Sequence, residues 1–203
     1  MVYFNRNSTG GKPEVIQSTL AFAVVVFVLV VTSLMIAPGA DGLLGAYLAA
    51  LMLGIACNDA RHYLIPNELT AAAFGIALLR GVILPDASVS SMLWLLFRAS
   101  AVSLPLFLLL LFYRRWRGRD GLGLGDVKLA AVAGAWLELP TAAAVIELAA
   151  LSAIAAYIAN ALVRRRSLRG TAFLPFGLFM APAIWVGWLS EQLLLRWGYF
   201  WPG

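Results

Sequence analysis

The sequence predicts an all-α bundle of membrane-spanning helices, about seven of them, and three observations carry the prediction. Hydrophobic residues make up 62% of the 203-residue chain and charged residues only 12%, against roughly 45–50% and about 25% in soluble domains. A chain so apolar has too few polar side chains to cover a soluble core, so lipid must act as part of its solvent. The apolar residues also fall into seven stretches separated by short connections rich in Pro, Gly or charge. At about 20 residues per crossing, little length remains for a soluble domain.

The first stretch, Val15–Ala37, follows Arg6 and Lys12 and precedes the small residues of Ala37-Pro-Gly-Ala40, which gives it some features of a secretory signal. Its apolar run is too long for a signal core and a proline beside a cleavage site is unfavourable, so it reads as a retained helix. The chain then turns through Pro38–Gly42 into Leu43–Cys57, through Asn58–Asn67 into Glu68–Leu84, and through Pro85–Ser91 into Met92–Tyr113. Arg114–Asp126 leads to Val127–Leu137, Glu138–Pro140 to Thr141–Val163, and Arg164–Thr171 to Ala172–Leu195. The fifth stretch is short and fits either a crossing or a re-entrant segment. A crossing is preferred, because otherwise Arg164–Arg169 would lie on the outer side.

The basic residues supply the orientation. Of fifteen Lys and Arg, twelve lie in the N-terminal tail or at alternate connections: Arg6, Lys12, Arg61, Arg114, Arg115, Arg117, Arg119, Lys128, Arg164, Arg165, Arg166 and Arg169. The intervening connections have none, so the N-terminus is expected in the cytoplasm and the C-terminus outside. The net charge of +5 and the pI near 9.8 are thereby read as retention charges beside anionic headgroups, and nucleic acid is not an expected partner. One cysteine, Cys57, makes neither an internal disulfide nor a Cys-type zinc site, and one histidine, His62, does not build a protein-only metal cluster. No metal or cofactor is expected.

With so few charges, two acids stand out. A helix starting near Leu43 reaches the cytoplasmic boundary at about Asp59. Counting back thirteen residues from Leu139 at about 1.5 Å each places Asp126 on the order of 10 Å below the same surface. Ionisable groups at such depth are costly unless they face a protein interior or a water-filled cavity, which makes a functional role the default. Asp126 ends the run Gly121-Leu-Gly-Leu-Gly-Asp126, whose glycines permit close approach of another backbone and suit an irregular segment lining a cavity. Taken singly, Asp126 also fits a helix N-cap, and Asp59-Ala-Arg-His-Tyr-Leu-Ile-Pro-Asn67 fits a helix end, a proline break and a new cap at Asn67. As a pair they fit better an acid and a base sharing a proton, which is the chemistry of peptide hydrolysis without a metal.

These residues resemble the type IV prepilin peptidases, GxGD aspartic proteases of the membrane, over most of the chain. Gly123-Leu-Gly-Asp126 with Val127-Lys128-Leu129-Ala130 and Gly134-Ala135-Trp136-Leu137 is similar to the family's second aspartate motif, and it is the most specific of the signals. Asp59 with Arg61 and Ile65-Pro66-Asn67 is similar to the first, and Leu174-Pro175-Phe176-Gly177 to a Pro-Phe-Gly segment at the start of the last helix. The resemblance implies a six-helix peptidase core over residues 41–203, preceded by a tail and an extra helix at 1–40. It further implies cleavage of the basic leader of pilin or pseudopilin precursors at the cytoplasmic face of a bacterial inner membrane. Asp59 and Asp126 would be the catalytic pair. Gly123, Gly125, Lys128, Arg61, Pro66, Asn67, Pro175 and Gly177 would bind substrate or support the site. Larger members also methylate the new N-terminus and carry a segment with paired CxxC motifs that bind zinc. With Cys57 alone, this chain looks like the short, peptidase-only members.

The remaining polar residues have plainer readings. Arg80, Arg98 and Arg196 are expected to snorkel to headgroups, and Glu147 fits either a partner for Arg80 or Arg98 or a cavity-facing acid. Trp94, Trp136, Trp185, Trp188, Trp197 and Trp201 are expected mainly as interfacial anchors. His62 reads as a loop residue, and Asp120 as a loop residue or a receiver of the basic leader. Two rival functions remain at this point: a small transporter using Asp59 and Asp126 as proton or cation sites, although no internal repeat is found, and a non-catalytic assembly subunit.

Overall fold

The computed structural model describes residues 11–84, 88–117, 123–165 and 174–200, and among these the chain forms seven helices and no strand. They are α1 (Gly11–Ile36), α2 (Ala40–His62), α3 (Asn67–Ile83), α4 (Val89–Arg117), α5 (Leu124–Trp136), α6 (Leu139–Val163) and α7 (Phe176–Phe200). Each coincides with one of the predicted apolar stretches. Four of them, α2, α4, α6 and α7, are long and apolar enough to cross a membrane. Asp120, Gly121, Trp201, Arg6, Arg119, Arg166 and Arg169 lie outside the described residues.

Helices α2 and α5 extend beyond the apolar stretches predicted for them, and the extensions take in both aspartates. Helix α2 runs on through Asp59 to His62 and is closed by Tyr63 in the left-handed region, φ 54°, whose N–H bonds to Asp59 O at 2.9 Å. Helix α5 starts at Leu124, so Asp126 lies inside its first turn. Asp126 is therefore not the N-cap that its local sequence suggested. Gly123 holds that position, with backbone in the extended region.

Helix α5 has only 13 residues, about 20 Å of rise, and it is the best enclosed element. Val127, Leu129, Ala130 and every residue from Val132 to Leu137 are buried, and α3, α4, α6 and α7 all pack against it. Small residues let these neighbours approach closely, as packing in membranes requires. A Cβ on Gly134 would stand 2.5 Å from the carbonyl oxygen of Arg98 in α4. A short, protein-wrapped helix need not match the full hydrocarbon thickness of about 30 Å.

The end of the bundle remote from Asp59 and Asp126 is tied by polar contacts that sequence reading had assigned to lipid. Arg80 does not reach for headgroups; its Nε pairs with Asp41 Oδ1 at 2.6 Å, joining the end of α3 to the start of α2. Its guanidinium also lies over the Trp136 ring, 5.6 Å from the centroid, a favourable cation–π placement. Arg98 is buried and pairs with Glu138, whose backbone N–H donates to Glu191 Oε1 at 2.8 Å. Arg196 donates to the carbonyl of Met35 at 3.1 Å. Glu147 is exposed, and the acids on Arg80 and Arg98 are Asp41 and Glu138 instead.

Two tryptophans also depart from the interfacial expectation. Trp136 and Trp188 are 1% and 0% exposed, so they belong to the core. Trp136 Nε1 donates to the Ala73 carbonyl at 3.0 Å, which satisfies its polar edge and fastens α5 to α3. Trp185 is half-buried and donates to Ser33 Oγ at 3.1 Å, fixing α7 to α1.

Candidate active site

Asp59 lies one turn from the C-terminal end of α2 and is only 4% exposed. Its Oδ2 accepts the backbone N–H of Leu178 at 2.9 Å. Leu178 is in the first turn of α7, where N–H groups have no partner within the helix and the helix dipole favours an anion. The sequence arranges this contact through Pro175-Phe176-Gly177: α7 begins directly after the proline, and Gly177 leaves the room that the carboxylate needs. A Cβ at Gly177 would stand 3.0 Å from Asp59 Oδ2 and 2.8 Å from Ile65 Cδ1.

Asp126 enters from α5 and is half-buried. Its Oδ2 accepts the N–H of Gly123 at 3.2 Å, while its own N–H donates to Gly123 O at 3.1 Å. The reciprocal pair closes the first turn and sets where the carboxylate points. The two carboxylates are within electrostatic reach of each other. Among the described residues, no ion pair joins either of them to a cation.

Ile65 stands between the two halves. Its side chain lies 2.9 Å from where a Cβ of Gly125 would be, and its Cδ1 is the atom that such a group at Gly177 would strike. One isoleucine thus fills the space beside Asp126 on α5 and beside Asp59 under α7. Neither Ile65 nor Leu178 was among the site residues expected from sequence. Ile65 carries no chemical mark beyond its place in the first motif, and Leu178 acts through a backbone group that every residue except proline has.

The other expected residues separate into two groups. Gly123, Gly125, Pro175 and Gly177 are in the segments that hold the aspartates. Lys128 and Asn67 meet each other, with Nζ donating to Oδ1 at 2.7 Å, and join α5 to α3. Pro66 precedes α3 and its carbonyl accepts the Thr70 N–H at 3.2 Å, so it starts that helix. Arg61 is exposed in the last turn of α2, and no hydrogen bond or ion pair links it to either aspartate. Asn58, one position before Asp59, donates to Leu64 O at 2.5 Å and folds the loop back onto the end of α2.

The profile of the type IV leader peptidase family matches residues 46–161, from α2 to the last turn of α6, and takes in both aspartates. The chain belongs to the type IV leader peptidase family. Leader peptidase HopD of Escherichia coli is 33% identical over 135 residues, covering 65% of this chain and 83% of HopD. The prepilin leader peptidase/N-methyltransferase of Aeromonas hydrophila is 28% identical over 173 residues, 83% of this chain and 56% of that protein. A protein of the same description from Pseudomonas aeruginosa is 28% identical over 145 residues, covering 71% and 48%. The chain thus spans about half the length of these larger relatives. No solved structure matches. Family membership removes the support for the transporter reading, and the apolar helices make this a membrane protein.

Proposed function

We propose that the protein is a membrane-embedded aspartic endopeptidase, which cuts the basic leader from type IV prepilin or pseudopilin precursors at the cytoplasmic face of a bacterial inner membrane. The observation that supports this reading is that Asp59 and Asp126 approach from two sides of Ile65, whose side chain packs against Gly125 beside Asp126 and against Gly177 beside Asp59, within the matched family region. The basic residues on the same side as the aspartates support the cytoplasmic placement.

In the proposed reaction one carboxylate takes a proton from water as the oxygen attacks the scissile carbonyl, and the other, protonated, donates to the carbonyl oxygen. The tetrahedral species then collapses. The C–N bond breaks, and the proton taken from water passes to the leaving amine. The Leu178 N–H steadies Asp59 throughout, while Gly123 steadies Asp126. With fixed backbone donors on each acid, the reacting groups need little reorganisation.

The test is co-expression with a candidate precursor, comparing wild type with Asp59→Asn and Asp126→Asn variants that reach the membrane in equal amount. Both variants are expected to leave the precursor uncut on an immunoblot. Normal processing by either one overturns the assignment.

A further inference from the structure

On the flank of the bundle, α3 and α5 leave an open groove of about 420 Å³. Asn67, Thr70, Ala71 and Phe74 form its α3 wall, the Thr70 hydroxyl being spent on the Pro66 and Asn67 carbonyls, and Lys128, Ala131 and Val132, at positions i, i+3 and i+4, form its α5 wall. Lys128 is two residues from Asp126, about 200° around the helix, so the groove faces away from the aspartates. Its walls are apolar along their length, and the lysine ammonium stands at the end nearest Asp126.

Charge and size together select an occupant. Lys128 spends one N–H on Asn67 Oδ1 and keeps two more, a fitting receptor for a phosphate. The groove has a volume of about 420 Å³, and a flexible acyl chain fits lengthwise between Ala71, Phe74, Ala131 and Val132.

We propose that this groove binds one acidic phospholipid, with the phosphate on Lys128 and an acyl chain lying between α3 and α5. The inference rests on the membrane placement of the helices and is independent of the peptidase reading.

The experiment uses the whole chain, purified in detergent and mixed with equal amounts of dioleoyl phosphatidylglycerol and dioleoyl phosphatidylcholine, with retained lipid counted by native mass spectrometry. One phosphatidylglycerol is expected to be retained about fivefold over phosphatidylcholine, the preference that one lysine near a charged surface provides. Lys128→Gln should equalise the two, and Ala131→Phe, which fills the groove, should lower retention of both. Lys128→Arg keeps the charge and should match wild type, which separates a lost site from a misfolded protein. Glycerol phosphate, having no chain, should not compete. Equal retention by wild type, or unchanged selectivity in Lys128→Gln, overturns the proposal. So does competition by glycerol phosphate, which would mark a free-anion site. Displacement by a peptide of leader and apolar segment would assign the groove to the substrate instead.

Discussion

At one end of the bundle Asp41 and Glu138 each meet an arginine, and at the other Asp59 and Asp126 each accept a backbone amide. All four are acids near helix ends on the same elements, α2 and the α5–α6 region. An acid neutralised by a guanidinium is a fastening, since its charge is spent on a fixed partner and its proton affinity is of no use to a reactant. An acid held by N–H donors keeps both its orientation and its capacity to exchange a proton. The two ends thus divide the work. The arginine-bound end pins α2, α3, α4 and α5 together, and the amide-bound end carries the two acids proposed to react.

That division is open to attack by substitution. The largest effect is expected at the aspartates: Asp59→Asn or Asp126→Asn should reduce precursor cleavage by on the order of 10⁴-fold, as losing a member of a cooperating catalytic set does, with the thermal midpoint nearly unchanged. Next is Gly177→Ala. Its methyl would press on Ile65 and Asp59, and an error of this size in catalytic geometry costs about 10²-fold, read as a fall in kcat in a protein that still inserts. At the opposite end the pattern should invert. Glu138→Ala leaves the Arg98 guanidinium buried without its partner, and a loss of about 2–3 kcal/mol of stability is expected in a detergent melt, scaled down from fully buried pairs because Glu138 is 61% exposed. Activity per folded molecule should persist. The smallest change is expected for Trp185→Phe, which removes the bond to Ser33 and should cost about 1 kcal/mol, loosening α1 without altering cleavage. Equal losses of activity from Glu138→Ala and Gly177→Ala would show that the two ends do not divide in this way.

The helices were legible because each one is an apolar stretch, and hydropathy finds these whether lipid or protein surrounds them. The same indifference explains what was missed. Trp136 and Trp188 look like any membrane tryptophan until packing shows them in the core. Arg80 and Asp41 are 39 residues apart, and Arg98 and Glu138 are 40 apart, so only the folded chain reveals the pairs. Helix α2 runs past its predicted end, and α5 starts ahead of its predicted beginning, because hydropathy stops at a charge. Here Asp59 is sheltered beneath α7 and Asp126 is half-buried, and the backbone continues helical through both, with α2 running on to the exposed Arg61 and His62. At the site, the aspartates and glycines were visible as residue types with a chemical or steric signature. The Leu178 amide has no signature of its own, and Ile65 became meaningful only when Gly125 and Gly177 were seen on either side of it.

The bond from Leu178 to Asp59 also imposes an order of assembly. Helix α7 follows the other six in the chain, and synthesis delivers the N-terminal parts first. During translation Asp59 and Asp126 emerge well before the amide that steadies Asp59. A partly synthesised chain therefore holds both acids without the amide that fixes Asp59, and the arrangement around that carboxylate is complete only when α7 has packed against α2.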